Sequence, residues 1–166
     1  MELKKVKGFS LVELIIVVGL LGILMLAISS AMLMSIISSN RIRTTTKVKQ
    51  AGNYAIGQLQ TMIRNAKSIS SCNSSTYTLT LVNPGGGSTV VDTEIVGSNT
   101  FIASNSGTYL TPTDVSVSNF ILNCQPDDIN PVLVKISFDL TDTLSTSQTR
   151  ENPTLHFETS VSTRNE

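Results

Sequence analysis

The feature that most constrains this chain is a long apolar stretch close to its N-terminus. Residues 14–39 contain no charged side chain, and a short basic segment with Lys4, Lys5 and Lys7 precedes them. A helix needs about 20 residues to cross the ~30 Å hydrocarbon core of a bilayer, so this stretch is long enough to span it. The sequence therefore predicts a membrane-spanning helix over residues 9–39.

A single carboxylate stands where the apolar stretch begins. It is Glu13, in the segment Gly8-Phe9-Ser10-Leu11-Val12-Glu13-Leu14. An ionised carboxylate among lipid tails costs roughly 2.5–3.5 kcal/mol, so the chain needs a positive partner for it. The position of Glu13 suggests that this partner is an α-amino group released by cleavage between Gly8 and Phe9.

This segment resembles the class III signal of type IV pilins and pseudopilins. In that family a membrane peptidase cuts after the glycine and N-methylates the new first residue. The resemblance implies that residues 1–8 are a leader, that Phe9 is the methylated N-terminus, and that Glu13 guides assembly by neutralising the amine of a neighbouring subunit. The partners it implies are prepilin peptidase, the inner-membrane assembly platform and other pilin or pseudopilin subunits.

Two other interpretations of the N-terminus stay open. A secretory signal peptide has an apolar region of about 7–15 residues, which is shorter than the stretch found here. Its cleavage site would be Ser29-Ser30-Ala31, which is a poor one. A plain single-pass anchor would carry the pattern of residues 8–14 by chance.

The two cysteines indicate in which compartment the C-terminal part of the chain lies, because the distribution of basic residues does not orient the span. Basic residues precede the span and also follow it, at Arg41, Arg43, Lys47 and Lys49. Cys72 and Cys124 both follow the span without a Cys-x-x-Cys pattern or a nearby histidine. This favours a disulfide in an oxidising compartment, with two buried free thiols as the alternative. We therefore expect the N-terminus in the cytoplasm and the C-terminal part outside it, first at the inner membrane and then in a filament.

The periodicity of apolar residues extends the helix beyond the span. The first proline is Pro84, so one helix is permitted from near Phe9 to about Ile69. Apolar residues recur at the three-and-four spacing of an amphipathic helix, at Val48, Ala51, Ala55, Leu59, Met62, Ile63, Ala66 and Ile69. We predict an amphipathic stalk helix over residues 40–69.

The pattern changes to the alternation of β-strands from residue 70 onwards. Residues 76–81 and 132–140 show the alternation most clearly, and a change of phase between Val117 and Phe120 predicts a β-bulge. The predicted fold is α+β and pilin-like, with the long N-terminal helix packed on an antiparallel β-sheet domain of residues 70–166, outside the cytoplasm.

The charge distribution narrows the possible partners. No acidic residue lies between Glu13 and Asp92, whereas the domain from residue 70 onwards is acidic. An acidic domain disfavours nucleic-acid binding, and a basic stalk suits contact with anionic headgroups or with the acidic domains of neighbouring subunits.

The outer domain also loosely resembles minor pilins and minor pseudopilins of the J/W type. The resemblance rests on short patterns, Ala66-Lys67-Ser68-Ile69, Leu110-Thr111-Pro112-Thr113-Asp114-Val115 and Val134-Lys135-Ile136-Ser137-Phe138. It implies a minor structural subunit of a type IV pilus, a secretion pseudopilus or a competence filament. The alternative function is a filament-tip adhesin or a DNA-uptake subunit, which would present an exposed basic or aromatic patch.

No set of residues suggests catalysis. The single histidine, His156, falls on the outward phase of a predicted strand, which is typical of a surface residue. The segment Asp127-Asp128-Ile129-Asn130 offers oxygen ligands for calcium but lacks the spacing of a known calcium loop, and these residues are common in turns. We expect no enzyme activity, no cofactor and no metal.

Overall fold

A computed structural model describes residues 8, 10–105, 107–126, 133–143 and 153–163. Phe9 and the segment Asp127-Asp128-Ile129-Asn130 lie outside the described residues. The chain divides into two compact units, Met1–Asn40 and Arg41–Glu166.

The first unit consists of the N-terminal part of helix α1, which spans Leu11–Asn65. The large apolar side chains between Leu11 and Ile37 are all exposed, and no residue in the most apolar 18-residue segment of α1 is buried. The hydroxyls of Ser29 and Ser30 donate to the carbonyl oxygens of Met25 and Ala27, each at 2.8 Å. These hydroxyls therefore need no partner outside the helix. By length and composition, this helix could cross a membrane.

The second unit buries one face of the C-terminal part of α1. The buried residues follow the predicted three-and-four spacing: Val48, Ala51, Gly52, Ala55, Leu59 and Ile63. The amphipathic character predicted for the stalk is therefore confirmed.

The predicted end of the stalk at Ile69 is wrong, because α1 ends at Asn65 and strand β1 begins at Ser68. Lys67 already donates its backbone N–H to the carbonyl of Val82 at 2.8 Å, and Ile69 pairs with Leu81 in the neighbouring strand. An apolar residue at position 69 satisfies the helical period and the strand period equally, so strand pairing decided its conformation.

Among the residues that the structure describes, eight strands follow α1 in two antiparallel sheets, where the sequence indicated a single sheet. The five-stranded sheet has the order β1-β2-β3-β4-β5, with strands Ser68–Asn73, Thr78–Val82, Ser88–Val96, Asn99–Ser104 and Thr108–Tyr109. The three-stranded sheet has the order β6-β7-β8, with strands Val115–Gln125, Leu133–Asp142 and Leu155–Ser162. Neighbours in each sheet are consecutive in sequence, and the fold is α+β, as predicted.

The bulge expected between Val117 and Phe120 is confirmed in β6. The register with β7 shifts between Ser118 and Ile121, and Asn119 adopts a φ of 51°. Asparagine tolerates this left-handed conformation better than most residues. The shift returns Phe120 to the buried face that Val117 also occupies.

The hydrophobic core of the second unit lies between α1 and the inward faces of the strands. Its largest fully buried side chains include Phe138, Leu59, Ile63, Ile102 and Ile136. Phe138 stacks on Phe157 with ring centroids 5.6 Å apart. This core gives the domain an apolar interior of its own.

Candidate processing and assembly site

The N-terminus of α1 is capped by Ser10. The Ser10 hydroxyl oxygen accepts a hydrogen bond from the backbone N–H of Glu13 at 3.3 Å, and its carbonyl oxygen accepts one from Leu14 at 3.2 Å. Ser10 is thus the N-cap residue and Glu13 is at the N3 position, the spacing of a capping box. The pattern Ser-x-x-Glu before an apolar run is the signal in the sequence that could have predicted this cap.

Glu13 is an isolated acid on an apolar surface. Its neighbours Leu11, Val12 and Leu14 are 78%, 64% and 59% exposed, and Glu13 is exposed among them. None of the salt bridges among the residues that the structure describes includes Glu13. The dipole of α1 favours a negative charge in its first turn, but it does not supply a full countercharge.

Gly8 precedes this cap in open space. Apart from its two neighbours in the chain, no described residue has a heavy atom within 4 Å of the position that a Cβ on Gly8 would take. Packing among the described residues therefore gives no reason for glycine at this position. A requirement for glycine would come from a molecule that acts on the chain, such as the peptidase implied by the resemblance.

A disulfide joins the two sheets of the second unit. It connects Cys72 of β1 to Cys124 of β6, and both residues are buried. The described residues contain no free cysteine. The bond links segments that are 52 residues apart in sequence, so it restricts the unfolded chain strongly.

Lys47 connects α1 to the three-stranded sheet. Its Nζ lies 3.0 Å from Asp114 Oδ2 and 2.9 Å from Asp142 Oδ1. Burial acts to lower the pKa of Lys47, but the hydrogen bonds and charges of Asp142 and Asp114 outweigh it, so the pKa lies above its ordinary value of 10.5. Lys47 thus pairs with carboxylates of its own chain. This differs from the expectation that the basic residues after the span contact headgroups or neighbouring subunits.

A second polar cluster lies on the outer face of the three-stranded sheet. His156 Nδ1 lies 2.6 Å from Asp139 Oδ1, and Asn119 donates to Asp139 Oδ2 at 2.7 Å. The hydrogen bond from Asn119, followed by that from His156, lowers the pKa of Asp139 below its ordinary value of 3.8. The pKa of Glu158 is also lowered, chiefly by its hydrogen bond to Lys135. His156 is exposed, as its predicted outward phase requires.

The titratable side chains of the described residues do not gather into a metal site. No group of three or more His, Cys, Asp or Glu within these residues has the geometry to hold an ion. The calcium ligands considered at Asp127, Asp128 and Asn130 lie outside the described residues.

Comparison with known proteins points to the same N-terminal segment. Residues 3–29 match the family model of the prokaryotic N-terminal methylation motif, and this range contains Gly8, Phe9, Ser10 and Glu13. No curated protein and no solved structure matches the chain. The motif is the class III signal, which supports membership of the type IV pilin-like family. It implies processing by a prepilin peptidase and assembly with other pilins, as a structural subunit.

Proposed function

We propose that this chain is a minor pilin or minor pseudopilin, a structural subunit of a type IV pilus or a type II secretion-like filament. The observation that carries the proposal is the methylation motif at residues 3–29, with Glu13 as an isolated carboxylate on the apolar surface of α1. The short patterns shared with J/W-type subunits favour a minor subunit.

Processing is the first step of the proposed mechanism. Lys4, Lys5 and Lys7 keep the leader in the cytoplasm while the apolar part of α1 inserts into the inner membrane. Cleavage after Gly8 then frees the amine of Phe9, which is N-methylated. A methylated secondary amine still carries a positive charge at neutral pH, so it remains a partner for a carboxylate.

Assembly is the second step. Transfer of an apolar helix from lipid to protein has little net hydrophobic driving force, so specific contacts must select the register. Glu13 of one subunit pairs with the Phe9 amine of its neighbour, so that neither charge remains unpaired in an apolar medium. Ser10 contributes by capping α1, since a capped first turn holds Glu13 at a defined position.

The buried disulfide supports an extracytoplasmic position for residues 70–166. Disulfides persist in the periplasm and on the cell surface, where thiols are oxidised, and are rare in the cytoplasm. With the leader inside and this domain outside, the chain crosses the inner membrane once before it enters a filament.

Substitution of Glu13 tests the assembly step. We expect Glu13→Ala to be processed normally but to enter filaments about tenfold less or lower still. The substitution leaves the Phe9 amine of the neighbouring subunit buried without its partner, which costs several kcal/mol. Filament fractions and membranes are compared by immunoblotting. The matched variant Glu13→Asp retains the charge and should restore part of the incorporation. Normal incorporation of Glu13→Ala would refute the role of Glu13.

Substitution of Gly8 tests the processing step separately. Gly8→Val should retain the leader, visible by mass spectrometry as a chain that still begins at Met1. Gly19→Ala is the control, because Gly19 also lies in open space but is not at the cleavage site. Cleavage of Gly8→Val, or a mature N-terminus well beyond Glu13, would overturn the proposal.

A further inference from the structure

The exposed apolar surface of α1 ends at a pair of arginines. Ile37 and Ile42 are 53% and 62% exposed, and the next exposed large apolar side chain of α1 is Tyr54. Arg41 and Arg43 stand on either side of Ile42 in the sequence, and both are exposed. The outward surface of the helix therefore changes from aliphatic to basic within a few residues.

Neither arginine has a charged partner among the residues that the structure describes. No salt bridge of these residues includes Arg41, Arg43 or the exposed Lys49. Lys47 differs from them, because Asp114 and Asp142 hold its ammonium group. A net positive charge remains on this part of the helix, since it carries four basic side chains and only these two carboxylates pair with one of them.

The length of the apolar stretch sets the level of the two arginines in a bilayer. Residues 14–39 carry no charge, and 26 residues of helix measure about 39 Å. The hydrocarbon core of a bilayer is about 30 Å thick, and the bilayer with both headgroup layers measures about 40–45 Å. A stretch of this length that begins at one headgroup layer therefore ends in the other, directly before Arg41 and Arg43.

Arginine at this level suits the phosphates of lipid headgroups. Its planar guanidinium donates two parallel hydrogen bonds to a phosphate, and a basic residue near an anionic membrane surface raises the affinity about fivefold. A carboxylate of another subunit accepts hydrogen bonds in the same geometry. However, headgroups surround this part of the helix in a subunit that has not yet assembled, whereas a second subunit does not.

We propose that Arg41 and Arg43 bind anionic phospholipid headgroups at the outer surface of the inner membrane, and so hold the subunit at a fixed depth before assembly. The inference rests on the proposed function for the topology of the chain. Lys49 lies about 9 Å further along α1 than Arg43, which is about one Debye length, so it adds a weaker attraction to the same surface. The contact is broken when the helix leaves the bilayer for a filament.

Tryptophan fluorescence tests the contact, because the chain has no tryptophan of its own. Ile37→Trp places one exposed reporter a helical turn before Arg41, on the same face of α1. The full chain is reconstituted in vesicles of phosphatidylglycerol and phosphatidylcholine, with bromine on the acyl chains of one lipid or of the other. Bromine on the anionic lipid should quench the reporter more strongly, by a local enrichment of about fivefold, the effect of one basic residue.

Replacement of the two arginines should abolish the enrichment. In the reporter chain, Arg41→Gln together with Arg43→Gln should give equal quenching by the two lipids. The matched control, Arg64→Gln together with Lys67→Gln, should keep the difference, because these exposed basic residues lie at and beyond the end of α1. With the arginines in place, about 1 M salt should reduce the difference, since it shortens the Debye length to about 3 Å.

Incorporation into filaments separates headgroups from a protein partner. The double arginine variant should lose its leader normally and enter filaments at the level of the unmodified chain, because the headgroups are left behind on assembly. Lower incorporation together with unchanged lipid enrichment would assign Arg41 and Arg43 to another subunit and overturn the headgroup contact.

The outcomes distinguish the two proposals. Equal quenching by the two lipids in the reporter chain with its arginines, or enrichment retained after their replacement, would overturn the headgroup contact and leave the filament function standing. If the unmodified chain is not cleaved after Gly8 or does not enter filaments, the proposed function fails. The vesicle measurement then still decides the headgroup contact, because it needs neither the peptidase nor the assembly platform.

Discussion

The two units of the chain use one helix in opposite ways. Leu26, in the part of α1 that belongs to Met1–Asn40, is 75% exposed, whereas Leu59 in Arg41–Glu166 is fully buried. The difference lies in what surrounds each part of the helix. The second unit brings two sheets of its own to cover the helix, and the first needs an apolar medium from outside, either lipid or other helices. The two parts of this one helix are therefore stabilised by different surroundings.

The largest effect should follow removal of the disulfide, which acts on the second unit alone. In the chain-entropy model, a bond across 52 residues contributes about 4 kcal/mol to the free energy of unfolding. We expect the double variant Cys72→Ala and Cys124→Ala to lose about this amount, measured by urea denaturation of the full chain in detergent micelles. The helical signal of the first unit should not change. Loss of that signal together with the domain would contradict the separation of the two units.

A pair of leucines compares the two units directly. Leu59→Ala should lower the free energy of unfolding of the domain by about 2–5 kcal/mol, because it leaves a cavity in the core. Leu21→Ala is the same change on the same helix, at a residue that is 49% exposed, and should leave domain unfolding unchanged. Equal effects of the two substitutions would show that the units unfold as one.

A pair of glycines tests how closely α1 approaches β8. A Cβ on Gly52 would overlap the ring of Phe157, which is held in place by its stack on Phe138. We expect Gly52→Ala to cost about 1–3 kcal/mol through overpacking. Gly57→Ala, with no heavy atom nearby, should instead stabilise the helix by about 0.5–1 kcal/mol. Thermal unfolding followed by circular dichroism measures both, and the two shifts should have opposite signs.

The smallest effect concerns acid stability of the outer face. The pKa of Asp139 is lower in the folded chain than its ordinary value of 3.8, so its contribution is fully present above about pH 4 and is lost as the pH falls through the folded pKa. Asp139→Asn should lower stability at pH 7 by less than about 1 kcal/mol, because the contacts of Asp139 with Asn119 and His156 lie on an exposed face, and it should flatten the loss of stability below pH 4. An unchanged pH profile would exclude a role for the pairing with Asn119 and His156.

Local patterns predicted those features that depend on neighbouring residues in sequence. The long exposed apolar part of α1 followed from the absence of charge over residues 14–39, and the buried face of α1 followed from the spacing of Val48, Ala55 and Leu59. The bulge followed from the change of phase before Phe120. Each of these signals lies within one continuous segment of the chain.

Features that depend on distant residues could not be predicted. No residue near Gly52 in sequence indicates that the ring of Phe157, more than a hundred positions later, lies against it. Lys47 belonged to a basic stalk in the sequence, but the fold places it between Asp114 and Asp142. The end of α1 at Asn65 depended on the pairing of Ile69 with Leu81.

The sequence by itself determined that the N-terminal segment is a candidate processing and assembly signal. Its three features are an isolated carboxylate, a glycine before it and a long uncharged stretch, and none of them depends on a tertiary contact. Only the tertiary structure decided how the strands divide into two sheets, which glycine must remain a glycine, and which carboxylates pair with Lys47. The physical reason is that these depend on contacts between residues far apart in the chain, and such contacts leave no local pattern.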